Sequence, residues 1–327
     1  MFSSVRRTIT LGGLAVFGFA PLIIHAVEPG KPAVTALETT VYRAIGAKHP
    51  DPTIRNDDSL AMRFLGIEER EILKAEGSQA LLAALELDTA AAWKSLGPRL
   101  PFATAVHART RYIDEVFKEG LASGATQVVI LGAGLDSRAY RFSNLVRGAH
   151  VFEVDFPPTQ EYKKKRVREI LNGLPAHVVY VPMDFTKDDL ATVLRQAGYD
   201  ATKKTVFVWE GVTFYIPESA VNGTLRFVAS NSAPGSRVVF DYFVESALQT
   251  PAIVTLNKRL TALGEPFIFG IPDQNRDRFI ARQGLRMASD VGINELRRRY
   301  LPVEFIDAAA TATSVNYVST AVVPESR

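Results

Sequence analysis

Short, unbroken runs of apolar residues alternate with helix-like stretches from Phe102 to the end of the chain. Unbroken runs are typical of strands covered on both faces, and strands that alternate with helices indicate a parallel, doubly wound sheet. The predicted strands are Gln127–Leu131, His150–Val154, His177–Val181, Thr205–Trp209, Arg237–Tyr242, Leu285–Ala288 and Ser314–Val323. The pattern therefore predicts an α/β fold built on a seven-stranded sheet.

Helices are predicted between these strands, and a helical region precedes them. From Thr35 to Leu100 the apolar residues recur at helical spacing, and no strand-forming run is present. The helices predicted between the strands are Thr110–Leu121, Ser137–Val146, Thr159–Asn172, Lys187–Gln196 and Glu218–Ser230. We expect three parts: an N-terminal segment at residues 1–30, a helical cap at residues 31–101 and an α/β domain at residues 102–327.

Residues 1–30 have a pattern of their own. Arg6 and Arg7 precede an apolar run from Ile9 to Val27, which is the order found in secretory signals and membrane anchors. A buried N-terminal helix and a start codon assigned too early are the alternatives. The pattern predicts membrane contact through residues 9–27, so the protein would be membrane-associated or exported, with a cytoplasmic location as the alternative.

The charge balance and the absence of cysteine exclude several kinds of site. The 327 residues include 38 Lys and Arg against 35 Asp and Glu, a net charge of +3, which is too small for a dedicated nucleic-acid surface. The chain has no cysteine, which excludes disulfides, Cys-ligated zinc, iron–sulfur clusters and thiol nucleophiles. We therefore predict no nucleic-acid partner and no metal site.

A glycine-containing turn follows the first predicted strand. Gln127–Leu131 runs directly into Gly132-Ala133-Gly134-Leu135-Asp136-Ser137, and two glycines at this spacing let the backbone turn sharply and approach a ligand. A dinucleotide fingerprint would place a third glycine where Ser137 stands. The turn therefore favours a cofactor without a pyrophosphate, while a tight strand-to-helix connection without a ligand is the alternative.

Acidic residues end the next three strands. Asp155 follows the glycines by about 20 residues, where an acid can accept the hydroxyl protons of an adenosine ribose. Asp184, which precedes Phe185, and Glu210 end the third and fourth strands. Each acid alone could cap a helix. Together they form a rim of carboxylates that suits a ligand with many donors and a positive charge, such as a sulfonium that carries an amino group and an adenine.

Three longer motifs carry a family resemblance. VVILGAGLDSRAYR at 128–141, FEVDFP at 152–157 and VWEGVTFYIP at 208–217 resemble the leucine carboxyl methyltransferase-like family of S-adenosyl-L-methionine-dependent methyltransferases, and most closely a bacterial O-methyltransferase branch. Supporting segments are DSLAMRFL at 58–65, ARTRYID at 108–114 and RRRYL at 297–301. The resemblance covers roughly residues 50–323.

The family implies a class I methyltransferase fold: a Rossmann-like, seven-stranded sheet with an antiparallel last strand, here with an N-terminal helical cap. It also implies S-adenosyl-L-methionine as the cofactor. By its place in the motif, Arg109 would bind the methionine carboxylate of the cofactor; the alternative for Arg109 is a surface ion pair. Glu210 would line the methionine end of the cofactor site. The other cofactor-binding residues implied by the resemblance are Gly132 and Gly134 beside the cofactor, Asp155 on the ribose, and Asp184 with Phe185 around the adenine.

The expected activity is O-methylation of a carboxylate or hydroxyl of a small molecule. A carboxylate needs no general base, whereas a hydroxyl does. No convincing base is present, since His107 and His177 are candidates by residue type alone, but Tyr215 could orient an acceptor. A nicotinamide-dependent Rossmann oxidoreductase and a non-catalytic S-adenosylmethionine-binding protein are the alternative functions.

Two further features concern the acceptor. Met62 stands where the phosphatase-methylating branch has a lysine, which argues against a phosphatase C-terminus as the substrate. The helical segment 35–100 and the insert 249–275 are expected to roof the acceptor pocket. Phe267, Phe269 and Ile271 would make that roof apolar, with a plain core contact as the alternative for each.

Overall fold

The computed structural model describes residues 32–306 and 313–325. The segment 9–27, for which the sequence predicts membrane contact, lies outside the described residues. Within the described part of the chain, no helix is both long enough and apolar enough to cross a bilayer. A signal or membrane anchor therefore finds no support in the described residues and stays a prediction.

Seven strands form one sheet in the order β3-β2-β1-β4-β5-β7-β6. Strand β7 pairs antiparallel with both of its neighbours, and the other neighbouring strands pair in parallel. The strands are β1 Gln127–Leu131, β2 His150–Asp155, β3 Val178–Pro182, β4 Thr205–Trp209, β5 Arg237–Phe243, β6 Arg286–Gly292 and β7 Asn316–Val322. The predicted α/β fold with an antiparallel last strand is confirmed.

Helices precede the sheet and lie between its strands. Those before the sheet are α1 Val34–Ala47, α2 Ala61–Phe64, α3 Ile67–Ala75, α4 Gln79–Leu85, α5 Thr89–Ser95 and α6 Leu100–Ala122. Those that follow are α7 Arg138–Arg141, α8 Pro157–Leu171, α9 Leu190–Gln196, α10 Glu218–Ser230, α11 Pro251–Ala262, α12 Arg276–Ala281 and α13 Ile293–Tyr300.

Two helices differ from the sequence prediction by more than three residues. The helix predicted at Thr110–Leu121 begins ten residues earlier, at Leu100, so α6 runs across the expected boundary between cap and α/β domain. The helix predicted at Ser137–Val146 is the single turn α7, followed by further turns. Ser143 and Asn144 stand in those turns, and such residues compete with the helix for backbone hydrogen bonds.

The core covers both faces of the sheet. Every residue of β1 is buried. Val128 and Ile130 pack with the N-terminal helices, while Val129 and Leu131 pack in the cluster on the opposite face, as alternation along a strand requires. The cap shares the first of these clusters, because α1 and α6 contact each other and contribute to it. The division of the chain into cap and α/β domain stays a prediction.

The sheet topology places a crevice beside β1. Strands β2 and β3 lie on one side of β1, and β4 lies on the other, so the strand order reverses between β1 and β4. In open α/β sheets, ligands bind outside the carboxyl ends of the strands at such a switch point. The glycine turn after β1 and the acids that end β2 and β4 meet at this edge.

Candidate active site

One cavity of about 860 Å³ lies over the carboxyl edge of the sheet. Its walls come from the loops after β1 to β5, from α1 and α6, and from α11 with the segment that follows it. The sequence-predicted site residues that line this cavity are Arg109, Gly132, Gly134, Asp155, Asp184, Phe185, Glu210 and Tyr215. The structure therefore brings all of them together, while their roles toward a ligand stay predictions.

The glycine turn folds against the acid at the end of β2. The amide of Gly134 donates to Oδ2 of Asp155 at 2.6 Å, and the amide of Phe156 donates to Oδ1 at 2.7 Å. Gly132 has a φ of +61°, and a Cβ there would meet Cγ2 of Val212 at 2.3 Å. Both constraints require glycine at position 132. Burial raises the pKa of Asp155 to about 6.

A buried ion pair lies beneath this turn. Nζ of Lys163 is 2.8 Å from Oε1 of Glu153 and donates to the carbonyl of Ala133 at 3.2 Å. Tyr140 donates to the other oxygen of Glu153 at 2.9 Å. Burial raises the pKa of Glu153 to about 7, although Lys163 opposes the shift. Glu153 therefore supports the turn from within the core, and Asp155 is the acid that lines the cavity.

Arg109 pairs with two acids at the place where the methionine part of the cofactor is predicted to bind. Its Nε donates to Glu210 at 2.8 Å, and its Nη1 donates to Asp241 at 2.6 Å. Its Nη2 makes no hydrogen bond to any residue in 32–306 or 313–325. Since Arg109 lines the cavity, this nitrogen can bind a carboxylate without breaking either ion pair.

Arg138, which the sequence analysis did not single out, holds Glu210 from the other side. It contacts Oε2 of Glu210 at 2.7 Å and Asp114 at 2.7 Å, and its side chain is 2% exposed. Burial alone would raise the pKa of Glu210, but Arg138 and Arg109 hold it well below its usual range. Glu210 is therefore ionised at neutral pH and can pair with an ammonium group.

A second buried network fixes the far side of the glycine turn. Ser137, which stands where a dinucleotide fingerprint has glycine, donates to Asp58 at 2.6 Å. Arg43 pairs with Asp58 at 2.8 Å and donates to the carbonyl of Leu135 at 2.8 Å. The side chain at position 137 thus anchors the turn to α1, rather than leaving space for a pyrophosphate.

Asp184 and Phe185 form the wall at the end of β3. Asp184 closes a local turn, in which its Oδ1 accepts from the amide of Thr186 at 2.9 Å and from the hydroxyl of the same residue at 2.6 Å. Burial would raise its pKa, but these bonds and Lys187 lower it. Phe185 is half-buried and packs on the sheet core. A planar base could lie beside this ring.

Tyr215 lines the cavity and is close enough to Arg109 and Glu265 for their charges to act on its hydroxyl. It packs against Phe214 and Phe267. Burial and the nearby Glu265 carboxyl raise the pKa of its hydroxyl above the usual range. Glu265 accepts from the amide of Val34 at 3.1 Å and from the hydroxyl of Thr35, so it ties the insert to α1. The neutral phenol can orient an acceptor by a hydrogen bond.

Two of the three residues expected to make the roof of the acceptor pocket apolar are corrected, whereas the two histidines agree with the sequence analysis. Phe267 lines the cavity, but Phe269 and Ile271 do not, because they pack into the sheet core. His107 is buried in contact with the carbonyl of Ile54, and burial lowers its pKa to about 3. His177 contacts the carbonyl of Ala139. Neither histidine lines the cavity, so neither is placed to act as a base.

The described residues contain no cluster of three or more His, Asp or Glu side chains that could hold a metal ion. Carboxylates, guanidiniums and aromatic rings are among the groups that line the cavity. The sequence matches the leucine carboxyl methyltransferase family over residues 36–229, which is more than half of the chain.

The chain belongs to the leucine carboxyl methyltransferase family.

Relatives from several bacteria carry consistent names. A protein of Mycolicibacterium paratuberculosis, named "putative S-adenosyl-L-methionine-dependent methyltransferase", is 33% identical over 291 residues, which cover 85% of this chain and 88% of that protein. A protein of Bacillus subtilis with the same type of name is 35% identical over 182 residues, 54% of this chain and 60% of the relative. Several relatives are thus matched over less than two thirds of their own length.

A solved structure supports the fold independently. The crystal structure of a "putative methyltransferase" from Thermobifida fusca superposes with a TM-score of 0.53 and 16% identity, and the match covers 94% of this chain and 99% of that one. At this identity the likeness concerns the fold alone. It agrees with the class I methyltransferase architecture that the strand order shows.

The cofactor of this family is S-adenosyl-L-methionine, and the residues present fit it. Asp155 and the turn at Gly132 offer a ribose site, since a carboxylate at this position can accept two hydroxyl protons. The available Nη2 of Arg109 suits the methionine carboxylate, and the ionised Glu210 suits its ammonium. Asp241 is not among the acids predicted from the sequence, although like them it stands near the end of a strand, β5.

Proposed function

We propose that this protein transfers the methyl group of S-adenosyl-L-methionine to an oxygen of a small molecule, either a carboxylate or a hydroxyl. The observation that carries the proposal is that one cavity joins the predicted ribose site at Asp155 to the aromatic wall at Tyr215 and Phe267. A cofactor and an acceptor can therefore occupy adjoining parts of a single space. Its volume of about 860 Å³ is in the upper part of the range for small-molecule sites.

The residues of the chain would act by binding, orientation and exclusion of water. When bound, S-adenosyl-L-methionine would supply a sulfonium-activated methyl carbon, which would pass to the acceptor oxygen as the carbon–sulfur bond breaks and leaves a neutral thioether. A carboxylate acceptor would have no proton to remove, whereas a hydroxyl acceptor would lose its proton to solvent. Fixed ion pairs around Arg109 and Glu210 hold the methionine end, and apolar walls bring the two reactants into line.

The proposal is tested with the full chain, S-adenosyl-L-methionine labelled in its methyl group and a small-molecule extract of the producing cells. We expect a labelled product to form with the wild-type protein, and none with Asp155→Ala. Brief treatment with alkali releases the label of a methyl ester as methanol, and mass spectrometry of any alkali-stable product shows whether the methyl group is on oxygen, as in a methyl ether. Label that is neither ester nor ether would contradict O-methylation.

The same preparation separates the two alternative functions. A non-catalytic cofactor-binding protein would bind S-adenosyl-L-homocysteine in a calorimeter and yet label no acceptor. An oxidoreductase would instead bind a nicotinamide dinucleotide, which the calorimeter detects directly. The side chain of Ser137, tied to Asp58 at 2.6 Å, argues against the dinucleotide.

A further inference from the structure

Two arginines from separate elements converge on one acid in the acceptor half of the cavity. Nη1 of Arg99, in the turn Gly97–Arg99, lies 3.0 Å from Oε1 of Glu38 on α1. Arg259 on α11 contacts both oxygens of Glu38, with Nη2 at 2.8 Å from Oε1 and Nη1 at 3.0 Å from Oε2. All three residues line the cavity.

The charges of this cluster do not balance. The side chain of Glu38 is only 9% exposed, whereas those of Arg99 and Arg259 are 30% and 34% exposed. The other acid nearby, Glu265, directs both oxygens at the first turn of α1, through the amide of Val34 and the hydroxyl of Thr35. Both oxygens of Glu265 are thus engaged by the start of α1 and not by an arginine. Glu38 is the one acid that Arg99 and Arg259 share, so these three side chains together carry one positive charge.

Many hydrophobic side chains line the same cavity as the arginine pair, beside polar ones such as Thr39 and Tyr42. Those on α6, on α11 and in the segment that follows it are Phe102, Val106, Leu256, Leu260, Phe267 and Ile268. In such a setting a charge interacts more strongly with a counter-charge than it does in water. A guanidinium also matches a planar or tetrahedral oxyanion with two parallel hydrogen bonds. The acceptor half of the cavity therefore favours an apolar molecule that carries one anionic group.

We propose that Arg99 and Arg259 form an anion-binding subsite for the methyl acceptor, which holds an anionic group of the acceptor other than the oxygen that is methylated. The inference rests on the proposed methyltransferase function and narrows its substrate class to apolar molecules with an anionic anchor. An oxyanion that is bound by guanidiniums has its lone pairs engaged and its charge stabilised, so it is a poor nucleophile. The reacting oxygen then lies toward Tyr215, which is close enough to Arg109 to be affected by its charge.

A matched pair of fluorescent probes tests the subsite. The anionic probe is 8-anilinonaphthalene-1-sulfonate, and N-phenyl-1-naphthylamine has the same rings without the sulfonate. Each is titrated into wild-type protein, Arg99→Gln and Arg259→Gln, with and without saturating S-adenosyl-L-homocysteine. We expect each substitution to weaken binding of the sulfonate about tenfold, as for a lost charge-assisted hydrogen bond, and to change binding of the neutral probe less than about twofold.

The controls distinguish an anion-binding site from a contact that only stabilises the fold. Arg226, exposed on α10, is changed to Gln as a matched variant, and it should bind both probes like the wild type. If Arg259 only joins α11 to α1, Arg259→Gln will weaken both probes equally, which overturns the proposal. Failure of the wild type to bind the sulfonate, or equal loss with Arg226→Gln, overturns it too. The proposed function is tested separately, by calorimetry with S-adenosyl-L-homocysteine, and failure to bind this ligand would contradict it. The probe titrations that are made without S-adenosyl-L-homocysteine still test the anion subsite in that case.

Discussion

The ion pair of Lys163 with Glu153 allows a prediction whose size follows from the structure. Both side chains are 1% exposed, and their charged atoms are 2.8 Å apart. Replacing Lys163 by Met leaves Glu153 buried without its cation, and breaking a buried pair in this way costs about 3–5 kcal/mol. The variant also loses the hydrogen bond that holds the carbonyl of Ala133 in the glycine turn, so cofactor affinity should fall as well.

A double-mutant cycle measures the pair itself. The free energy of unfolding is determined by urea titration at pH 8 for wild type, Lys163→Met, Glu153→Gln and the double variant. Each single change strands one buried charge, whereas the double change strands none. The cost of the double variant should therefore fall short of the sum of the single costs by at least about 1 kcal/mol. Costs that add within about 0.5 kcal/mol would refute the reasoning.

The pH dependence of the same variant has a defined sign. The folded-state pKa of Glu153 is raised from 4.5 to about 7, so the stability that it contributes below pH 4.5 is lost as the pH rises through 7. Without Lys163 the pKa rises further, and the loss continues to higher pH. The difference in stability between wild type and Lys163→Met should thus be constant near pH 5.5 and grow by about 1.4 kcal/mol per pH unit above 7.

Three further predictions concern the cofactor half of the cavity. Arg109→Gln should weaken the binding of S-adenosyl-L-homocysteine at least about tenfold in calorimetry. The affinity for 5′-methylthioadenosine, which lacks the amino acid carboxylate, should change by less than about twofold, and equal losses for both ligands would count against the assignment of Arg109. Gly132→Ala should destabilise the fold more than Gly124→Ala in a urea titration, because both glycines have positive φ but only a Cβ at position 132 clashes, with Val212 at 2.3 Å. If adding Val212→Ala to Gly132→Ala recovers none of the difference, the clash is irrelevant. Cofactor affinity should fall about tenfold from pH 7 to pH 5 as Asp155 protonates near pH 6, while Asp155→Asn binds weakly without that dependence. The effect of Asp155 on folding stability has the opposite sign, because its raised pKa favours the folded state as the pH falls. A loss of cofactor affinity that accompanies unfolding of the protein would therefore refute this explanation.

The sheet was predictable because its signals are local. Strands β1 and β4 begin and end at the predicted residues, and α10 does too, since each combines an unbroken apolar run or a clear helical period with turn residues at both ends. The start of α6 was missed because Pro98 and Pro101 suggest a break, yet Pro101 is tolerated in the first turn of a helix.

The site could be predicted only where position along a strand determines it. Gly132, Asp155 and Glu210 follow strands, and parallel strands bring their ends to one edge. Arg138 and Arg259 gave no comparable signal, because the acids that they hold at the cavity lie far away in the sequence: Glu210 is 72 residues from Arg138, and Glu38 is 221 residues from Arg259. Contacts of this kind depend on the packing of α11 and α1, which no local pattern specifies.

The most direct test of the central claim is a crystal structure of the complex with S-adenosyl-L-homocysteine. The account predicts that the ribose hydroxyls lie within hydrogen-bond distance of Asp155, and that the amino acid carboxylate lies on Nη2 of Arg109. A ligand bound elsewhere, or a crevice beside β1 that stays empty at saturating ligand, would contradict it.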